Sequence, residues 1–347
     1  MKNFIKHGLS YFKKKVKEVM FYSSKKFRRF AHDTRKKVIL LDSPEHSNLG
    51  DHAIIIAERE FVSQLAPEYN IYEFTHLECK QYEKIFHYIK YEDVVLLPGG
   101  GFIGSLWSNE HSLIIKILKR LKLNKIIIFP QTIYFYDNDT DAINEFVDTV
   151  NLCSNLTMFV RDKASYDLLK NLKVECRYEL VPDIVLSLNR KIESHKNGKV
   201  LVCFRSDKEK VSDTNTILRL LASLNLEYDL TDMIVSDLKC YDKRYQLLNQ
   251  KLEQFSQYDL LITDRLHAMI LSTIVGTPCI AFDNLSKKVS GVYEWIKDLK
   301  YIRCISKDDV NNTIIKMMMS FSDSRYDYKL LEDSFQKIKE CFIEKIN

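Results

Sequence analysis

The sequence predicts an α/β chain of two Rossmann-like domains with parallel sheets, preceded by a basic amphipathic helical leader over residues 1–37. Three observations point there. The 347 residues exceed one ordinary core and suit two domains of roughly 150 residues each. From residue 38 onward, short β-branched runs alternate with longer helical patterns, as consecutive βα units do. Those runs are apolar almost throughout, as strands covered on both faces must be. With 46% hydrophobic and 29% charged residues, the composition is that of an ordinary globular protein and excludes a disordered one.

The leader holds thirteen Lys or Arg against Glu18 and Asp33, a net +11 in a chain that totals +5, so the remainder sums to −6. Ile5, Leu9, Phe12, Val16 and Val19 recur at spacings of three or four, and Phe27 and Phe30 resume the stripe after one step of eight. Such a helix suits an anionic membrane surface, where each cation near the headgroups adds about 1 kcal/mol and aromatic side chains dip into the interface. The alternative is a helix packed on its own domain with a solvated basic face. Lysines interrupt any apolar core of the length a signal peptide needs. The most apolar stretch, residues 269–282, is too short to span a membrane and contains Gly276 and Pro278. Eight cysteines, spaced singly with no C-x-x-C pair, are expected of a reducing cytoplasm. Positive charge confined to the leader, with no nucleic-acid module, gives no expectation of nucleic acid binding.

The first domain, residues 38–188, takes strands at 38–42, 70–75, 94–98, 125–130 and 157–160, with 181–188 ending the set, and a helix near 51–65. Residues 189–198, with Asn197-Gly198 as turn residues, read as a linker. The second domain, residues 199–325, takes strands at 199–204, 228–235, 259–263 and 279–283. A helical stretch over 326–347 is placed to cross back to the first domain. In open parallel sheets, ligands sit beyond the carboxyl ends of the strands. The informative residues are therefore those just after strands.

Ser47-Asn48-Leu49-Gly50-Asp51-His52 follows the first strand. Gly50 permits a tight backbone, Asp51 is placed to cap the next helix, and the free amides of that helix end attract anions. Pro98-Gly99-Gly100-Gly101 reads as a loop whose glycines let the backbone approach a ligand. Neither the dinucleotide fingerprint nor a P-loop spacing is met. His111, ten residues past Gly101, is a candidate acid or base or else a capping residue. Arg161, at the end of the fifth strand, offers a planar fork for a carboxylate or phosphate, or a salt bridge to Asp162. The most specific element is Thr263-Asp264-Arg265-Leu266-His267, where an apolar strand runs straight into a helix. Asp264 stands at the expected cap, and Arg265 and His267 fall in a first turn whose unpaired amides favour an anion. No metal-ligand spacing is present, so no metal is expected.

In this order, Asn48-Leu49-Gly50-Asp51-His52, Pro98-Gly99-Gly100-Gly101, Phe129-Pro130-Gln131, Val160-Arg161-Asp162, Asp264-Arg265-Leu266-His267 and Asp283-Asn284 with Lys287 or Lys288 following resemble the polysaccharide pyruvyl transferase family. The resemblance spans residues 48 to about 296 and leaves the leader out. It implies a glycosyltransferase B-like fold and phosphoenolpyruvate as co-substrate, with no further cofactor. Arg265, with Leu266, and Arg161 would bind the donor, and His267 or His111 would serve as acid and base. Asp264, Asn48, Asp51, Gly99, Gly100, Gly101, Gln131, Asn284 and Lys288 are further site candidates. The chain departs from the family pattern at Phe102, at Gly104-Ser105 and at Met269. These departures leave the donor element intact and bear on the acceptor.

The implied chemistry transfers the pyruvyl group of phosphoenolpyruvate, as a ketal, to a sugar of a surface polysaccharide precursor, with release of phosphate. If the leader lies on a membrane, the acceptor expected is an undecaprenyl-linked oligosaccharide at the inner face of the plasma membrane. Competing readings are a nucleotide-sugar glycosyltransferase of the same fold and a non-catalytic subunit of the polysaccharide machinery.

Overall fold

A computed structural model describes residues 2–193, 195–205, 209, 214–235, 243–321 and 324–346. The first sheet contains β1 (Val38–Ser43), β2 (Ile71–Thr75), β3 (Val94–Leu97), β4 (Gly100–Gly104), β5 (Lys125–Tyr134), β6 (Leu156–Val160) and β7 (Arg177–Leu180). Its order is β2-β1-β3-β5-β6-β7, and β4 pairs with the far half of β5. The second sheet, β12-β11-β10-β8-β9, is built from β8 (Val200–Cys203), β9 (Tyr228–Leu230), β10 (Leu260–Thr263), β11 (Cys279–Ala281) and β12 (Ile302–Cys304). Every strand pair in both sheets is parallel. This is the two-sheet α/β architecture that the alternation of runs predicts.

Helices α1 (Lys2–Ser23) and α2 (Lys25–His32) precede the first sheet. Helices α3 (Leu49–Leu65), α4 (His76–Gln81), α5 (Lys84–His87), α6 (Ser108–Arg120), α7 (Thr140–Asn151) and α8 (Lys163–Asn171) alternate with its strands. The second sheet carries α9 (Thr214–Ser223), α10 (Arg244–Ser256), α11 (Leu266–Val275), α12 (Lys288–Tyr293) and α13 (Asn312–Met319). The last helix, α14 (Glu332–Ile346), lies against the first sheet, where Lys345 Nζ donates to the Asn155 carbonyl at 3.0 Å. Among the described residues, no helix is long and apolar enough to cross a membrane.

One apolar core runs from sheet to sheet through α3, the 3-10 turn Ile184–Ser187, α10 and α11. A continuous core of this kind holds the two units in fixed register, which a site built from both requires. The outer face of the first sheet has its own core, to which α2 contributes Phe27 and Phe30. Burying a side chain of this size stabilises by about 1.5–3 kcal/mol.

Several elements differ from the sequence reading, among them β7, which lies outside the expected runs, and β9, which ends at Leu230 rather than 235. The leader is not one stripe, because Ser24 ends α1 and caps α2 by accepting from the Phe27 amide at 3.2 Å. The step of eight between Val19 and Phe27 is this break. Phe27 and Phe30 pack on the first sheet, whereas Phe12, Val16, Val19 and Met20 are exposed. Residues 181–188 form no strand: Asp183 Oδ1 accepts from the Val185 amide and starts the 3-10 turn. The stretch expected to be a glycine loop is mostly the strand β4, which continues along β5 where β3 stops. Finally, β12 adds a three-residue edge too short to leave a periodic signal.

Candidate active site

The cleft between the two sheets has a volume of about 350 Å³ and is lined from both sides. The loop ahead of α3 reaches across it. Leu49 donates its amide to the Met233 carbonyl at 2.8 Å, Val235 donates to the Ser47 carbonyl at 2.9 Å, and Asn48 bridges to Ile234. Asn48, rather than Asp51, caps α3: its Oδ1 accepts from the Gly50 amide at 3.2 Å and its Nδ2 donates to Asp51 Oδ2 at 2.7 Å. Asp51 sits one turn in, where its charge favours the helix start. Both residues line the cleft.

At the end of β10 the chain turns into α11. Thr263 Oγ1 accepts from the Arg265 amide at 3.0 Å, and Arg265, not Asp264, holds the cap position without a side-chain cap bond. Asp264 is instead drawn inward. Its Oδ1 accepts from the Arg205 amide at 2.8 Å, while Oδ2 is buried with no hydrogen-bonding partner among the described residues. Burial pushes its carboxyl up to about 6, against the opposing pull of that bond and of Arg205 and Arg265. Arg265 faces the cleft with Nη2 on Asp232 Oδ1 at 2.5 Å. Leu266 and His267, from the first turn of α11, also line the cleft.

Arg161 is buried at the carboxyl end of β6. Its expected partner, Asp162, does something else: Asp162 Oδ1 caps α8 through the Ser165 amide at 2.8 Å, and Oδ2 accepts from Thr132 at 2.7 Å. Arg161 instead pairs with Asp183, Nη1 to Oδ2, at 2.6 Å and donates Nε to Thr132 Oγ1 at 3.0 Å. Its remaining Nη2 is directed toward Gly101 in the cleft, 3.5 Å from where a Cβ at residue 101 would stand. Asp183 Oδ2 also lies 3.6 Å from His267 Nε2, beyond hydrogen-bond length but within ion-pair reach. Burial alone would raise the Asp183 carboxyl, yet Arg161, with His267 and the Val185 amide, holds it well below the usual carboxylate range. A permanent carboxylate thus faces the histidine and the arginine together.

Helix α12 closes the site from the second domain. Trp295 Nε1 donates to the Arg161 carbonyl at 2.9 Å, and Gly291 packs so closely that a methyl there would stand 2.7 Å from Asp162 Cβ. Asn284 shapes the turn before α12: its carbonyl accepts from the Lys287 amide at 3.0 Å, and its side chain is buried off the cleft. Lys288 enters the cleft and pairs with Glu209 at 2.8 Å, as does Arg205 at 3.0 Å. Burial lowers the ammonium pKa of Lys288 while Glu209 opposes that shift.

The glycines divide. Gly101 alone of the three lines the cleft. A Cβ on Gly99 would meet the Pro130 carbonyl oxygen at 2.7 Å, and Gly100 lies under the Phe102 ring, so these two serve the close approach of chain segments. Gln131 is buried beneath them, its Oε1 accepting from the Phe102 amide and its Nε2 donating to the Pro98 carbonyl. His111 does not reach the cleft. Its Nδ1 accepts from the Gly104 amide at 3.2 Å and its ring packs against Phe135 and Phe146. Because Nδ1 accepts, the ring's proton sits on the buried Nε2, and burial lowers the ring's pKa. In this position it supports β4.

Sequence reasoning missed Asp183, Arg205 and Asp232. Arg205 stands just past the expected strand 199–204, so the same positional rule applied evenly would have found it; Asp183 and Asp232 follow β7 and β9 but lie inside the runs 181–188 and 228–235 that the sequence reading takes as strands. His46, which also lines the cleft, precedes the Asn48 segment by two residues.

Arg161, Arg205, Arg265 and Lys288 converge from both domains with His267 beside them, a set of side chains able to meet an anion. Comparison with known proteins identifies the family. The family profile described as polysaccharide pyruvyl transferase matches residues 48–286. General stress protein 30 of Bacillus subtilis is 31% identical over 284 residues, covering 80% of this chain and 82% of that protein. Pyruvyl transferase 1 of Schizosaccharomyces pombe is 27% identical over 268 residues, covering 72% and 66% respectively. Among solved structures, a functionally uncharacterised protein of Klebsiella pneumoniae shares the fold with a TM-score of 0.54 at 18% identity, covering 80% of this chain and 95% of that one. The profile match over most of the sequence, together with these relatives, places the chain in the polysaccharide pyruvyl transferase family.

Proposed function

We propose that the chain transfers the pyruvyl group of phosphoenolpyruvate to a sugar of a surface polysaccharide precursor. The observation that carries this reading is the convergence of Arg161, Arg265, Lys288 and His267 on one small cleft. Phosphoenolpyruvate bears a carboxylate and a phosphate on one three-carbon unit, and a cleft with several cations can neutralise both at once. His267 protonates the methylene carbon. Positive charge then develops at the adjacent carbon, one sugar hydroxyl attacks it, and phosphate departs. A second hydroxyl of the same sugar closes the ketal. Of the two hydroxyl protons, one replaces the proton now in the methyl group and the other leaves with phosphate. Arg161 and Arg265 stabilise the carboxylate and the departing phosphate, and Asp183 holds Arg161 and faces His267. The donor carries its own activated group, so no resident cofactor or metal takes part.

The acceptor in this reading is a lipid-linked oligosaccharide at the inner face of the plasma membrane, and α1 is the membrane contact. Exposed Phe12, Val16, Val19 and Met20, interleaved with Lys13, Lys14, Lys15 and Lys17, support it.

The test is to incubate the enzyme with phosphoenolpyruvate and lipid-linked acceptors and measure phosphate release and product mass. A gain of one ketal pyruvate is expected, and His267→Ala should lower the rate at least about a hundredfold with folding intact. Near-normal turnover by that variant would remove His267 from the mechanism.

A further inference from the structure

A second cavity, of about 850 Å³, opens on the far edge of the first sheet, away from the cleft residues. Its walls come from α2 (Lys25, Lys26, Arg29), from α3 (Arg59), from β2 and from the start of α10 (Arg244). The single acid among its lining residues is Glu73. Glu73 is shared: Arg244 Nη2 donates to its Oε1 at 2.7 Å and Arg59 Nη1 to its Oε2 at 2.9 Å. One carboxylate therefore orients two guanidinium groups at the cavity floor. Lys26 is turned away to Glu78 at 2.5 Å. Lys25 and Arg29, one turn apart on the rim, have no acidic partner among the described residues and add two further charges.

We infer that this cavity binds a phosphate-bearing anion, a diphosphate above all, presented at the membrane surface. Forked guanidinium groups fixed by a carboxylate suit the equatorial oxygens of phosphate, and the rim supplies compact cationic charge. Two features of the fold favour a lipid-borne source. The cavity lies at the root of α1, since Ser24 alone separates that helix from Lys25. A short chain segment also links it to the cleft, with which it shares no lining residue. Ser43, whose hydroxyl donates to Glu73 at 2.5 Å, stands three residues before His46, which lines the cleft, a span of roughly 10 Å at full extension. A diphosphate held here would place an attached sugar within short reach of the donor. That last step rests on the proposed pyruvyl transfer, whereas the anion site does not.

Binding measurements separate the two. Pyrophosphate is titrated by calorimetry into the full chain carrying Arg265→Ala, so that the cleft does not contribute, and into the same chain with Lys25→Ser and Arg29→Ser added. Both added changes are at exposed positions, so folding is preserved and is checked by melting temperature. The double change should weaken pyrophosphate at least about tenfold. Vesicles of phosphatidylcholine with phosphatidic acid then identify the source. Displacement of the chain from them by pyrophosphate supports a lipid phosphate, and pyrophosphate binding without displacement supports the anion site with a soluble diphosphate as its ligand. Equal pyrophosphate affinity with and without Lys25 and Arg29 overturns the site. Phosphoenolpyruvate binding, measured beside these, reads the cleft independently.

Discussion

Gly50 and His267 touch across the two domains: a methyl group on residue 50 would stand 2.4 Å from His267 Nδ1 and 2.9 Å from its Cβ. Because the nearest atoms include Cβ and Cγ, the ring cannot simply swing aside, and α3 or α11 must shift. Gly50→Ala gains about 1 kcal/mol of helix propensity and loses about 1–3 kcal/mol to overpacking. A folded protein with a turnover rate lowered at least about tenfold is expected. Steady-state kinetics beside a melting curve checks it; unchanged turnover would mean that His267 tolerates displacement.

Asp183→Asn should be more damaging to stability. It removes the charge that pairs with buried Arg161, and stranding one partner of a buried pair costs about 3–5 kcal/mol. Chemical denaturation reads the loss. If the variant folds at low temperature, its pH–rate profile should also change, because Asp183 faces His267; a purely structural role would leave that profile in place.

The two histidines separate cleanly. His111→Asn keeps an acceptor for the Gly104 amide and should retain turnover within a few-fold, whereas His267→Ala abolishes most of it. A loss of equal size at both positions would restore His111 as a participant in the reaction.

Asp264 gives a pH dependence of stability. Its carboxyl is raised from the ordinary value near 4 to about 6, so the folded state binds the proton more tightly than the unfolded chain. The sign is destabilising at neutral pH: the penalty grows as pH rises from about 4 to 6 and is absent below that window. Asp264→Asn keeps an oxygen for the Arg205 amide and should stabilise by on the order of 3 kcal/mol at pH 8, a gain that fades by pH 4. Melting temperatures of both forms across that range decide it. Lower activity in a more stable variant would show that the carboxylate is kept for function.

Removing residues 2–19 should abolish binding to anionic vesicles and leave the fold intact, since Phe21 stacks on Tyr82 at 4.0 Å and the buried side chains of α2 remain. Removing residues 1–36 should instead destabilise the first domain by several kcal/mol through loss of Phe27 and Phe30. Vesicle sedimentation and circular dichroism distinguish the outcomes; full binding by the shorter deletion would end the membrane role of α1.

Much of this protein is determined by local sequence. Strand runs such as 94–97 and 260–263 are apolar because both faces are covered, and the residues just beyond strands are polar because they meet the cleft. Arg161, Arg265 and His267 were therefore legible as cleft residues from position, Lys288 only through the family resemblance, and the structure brings the four together. Tertiary structure decided who pairs with whom. Arg161 chooses Asp183 over its neighbour Asp162, because Asp162 is already committed to capping α8. Two of the three consecutive glycines serve packing within the first domain, and only the third meets the cleft. The leader divides at Ser24 into a buried half and an exposed half, and His111 turns inward to hold a strand. These outcomes depend on contacts between residues far apart in the chain, such as Gly50 against His267. Such contacts impose no period on the sequence; packing selects them once the two sheets have closed on a common core.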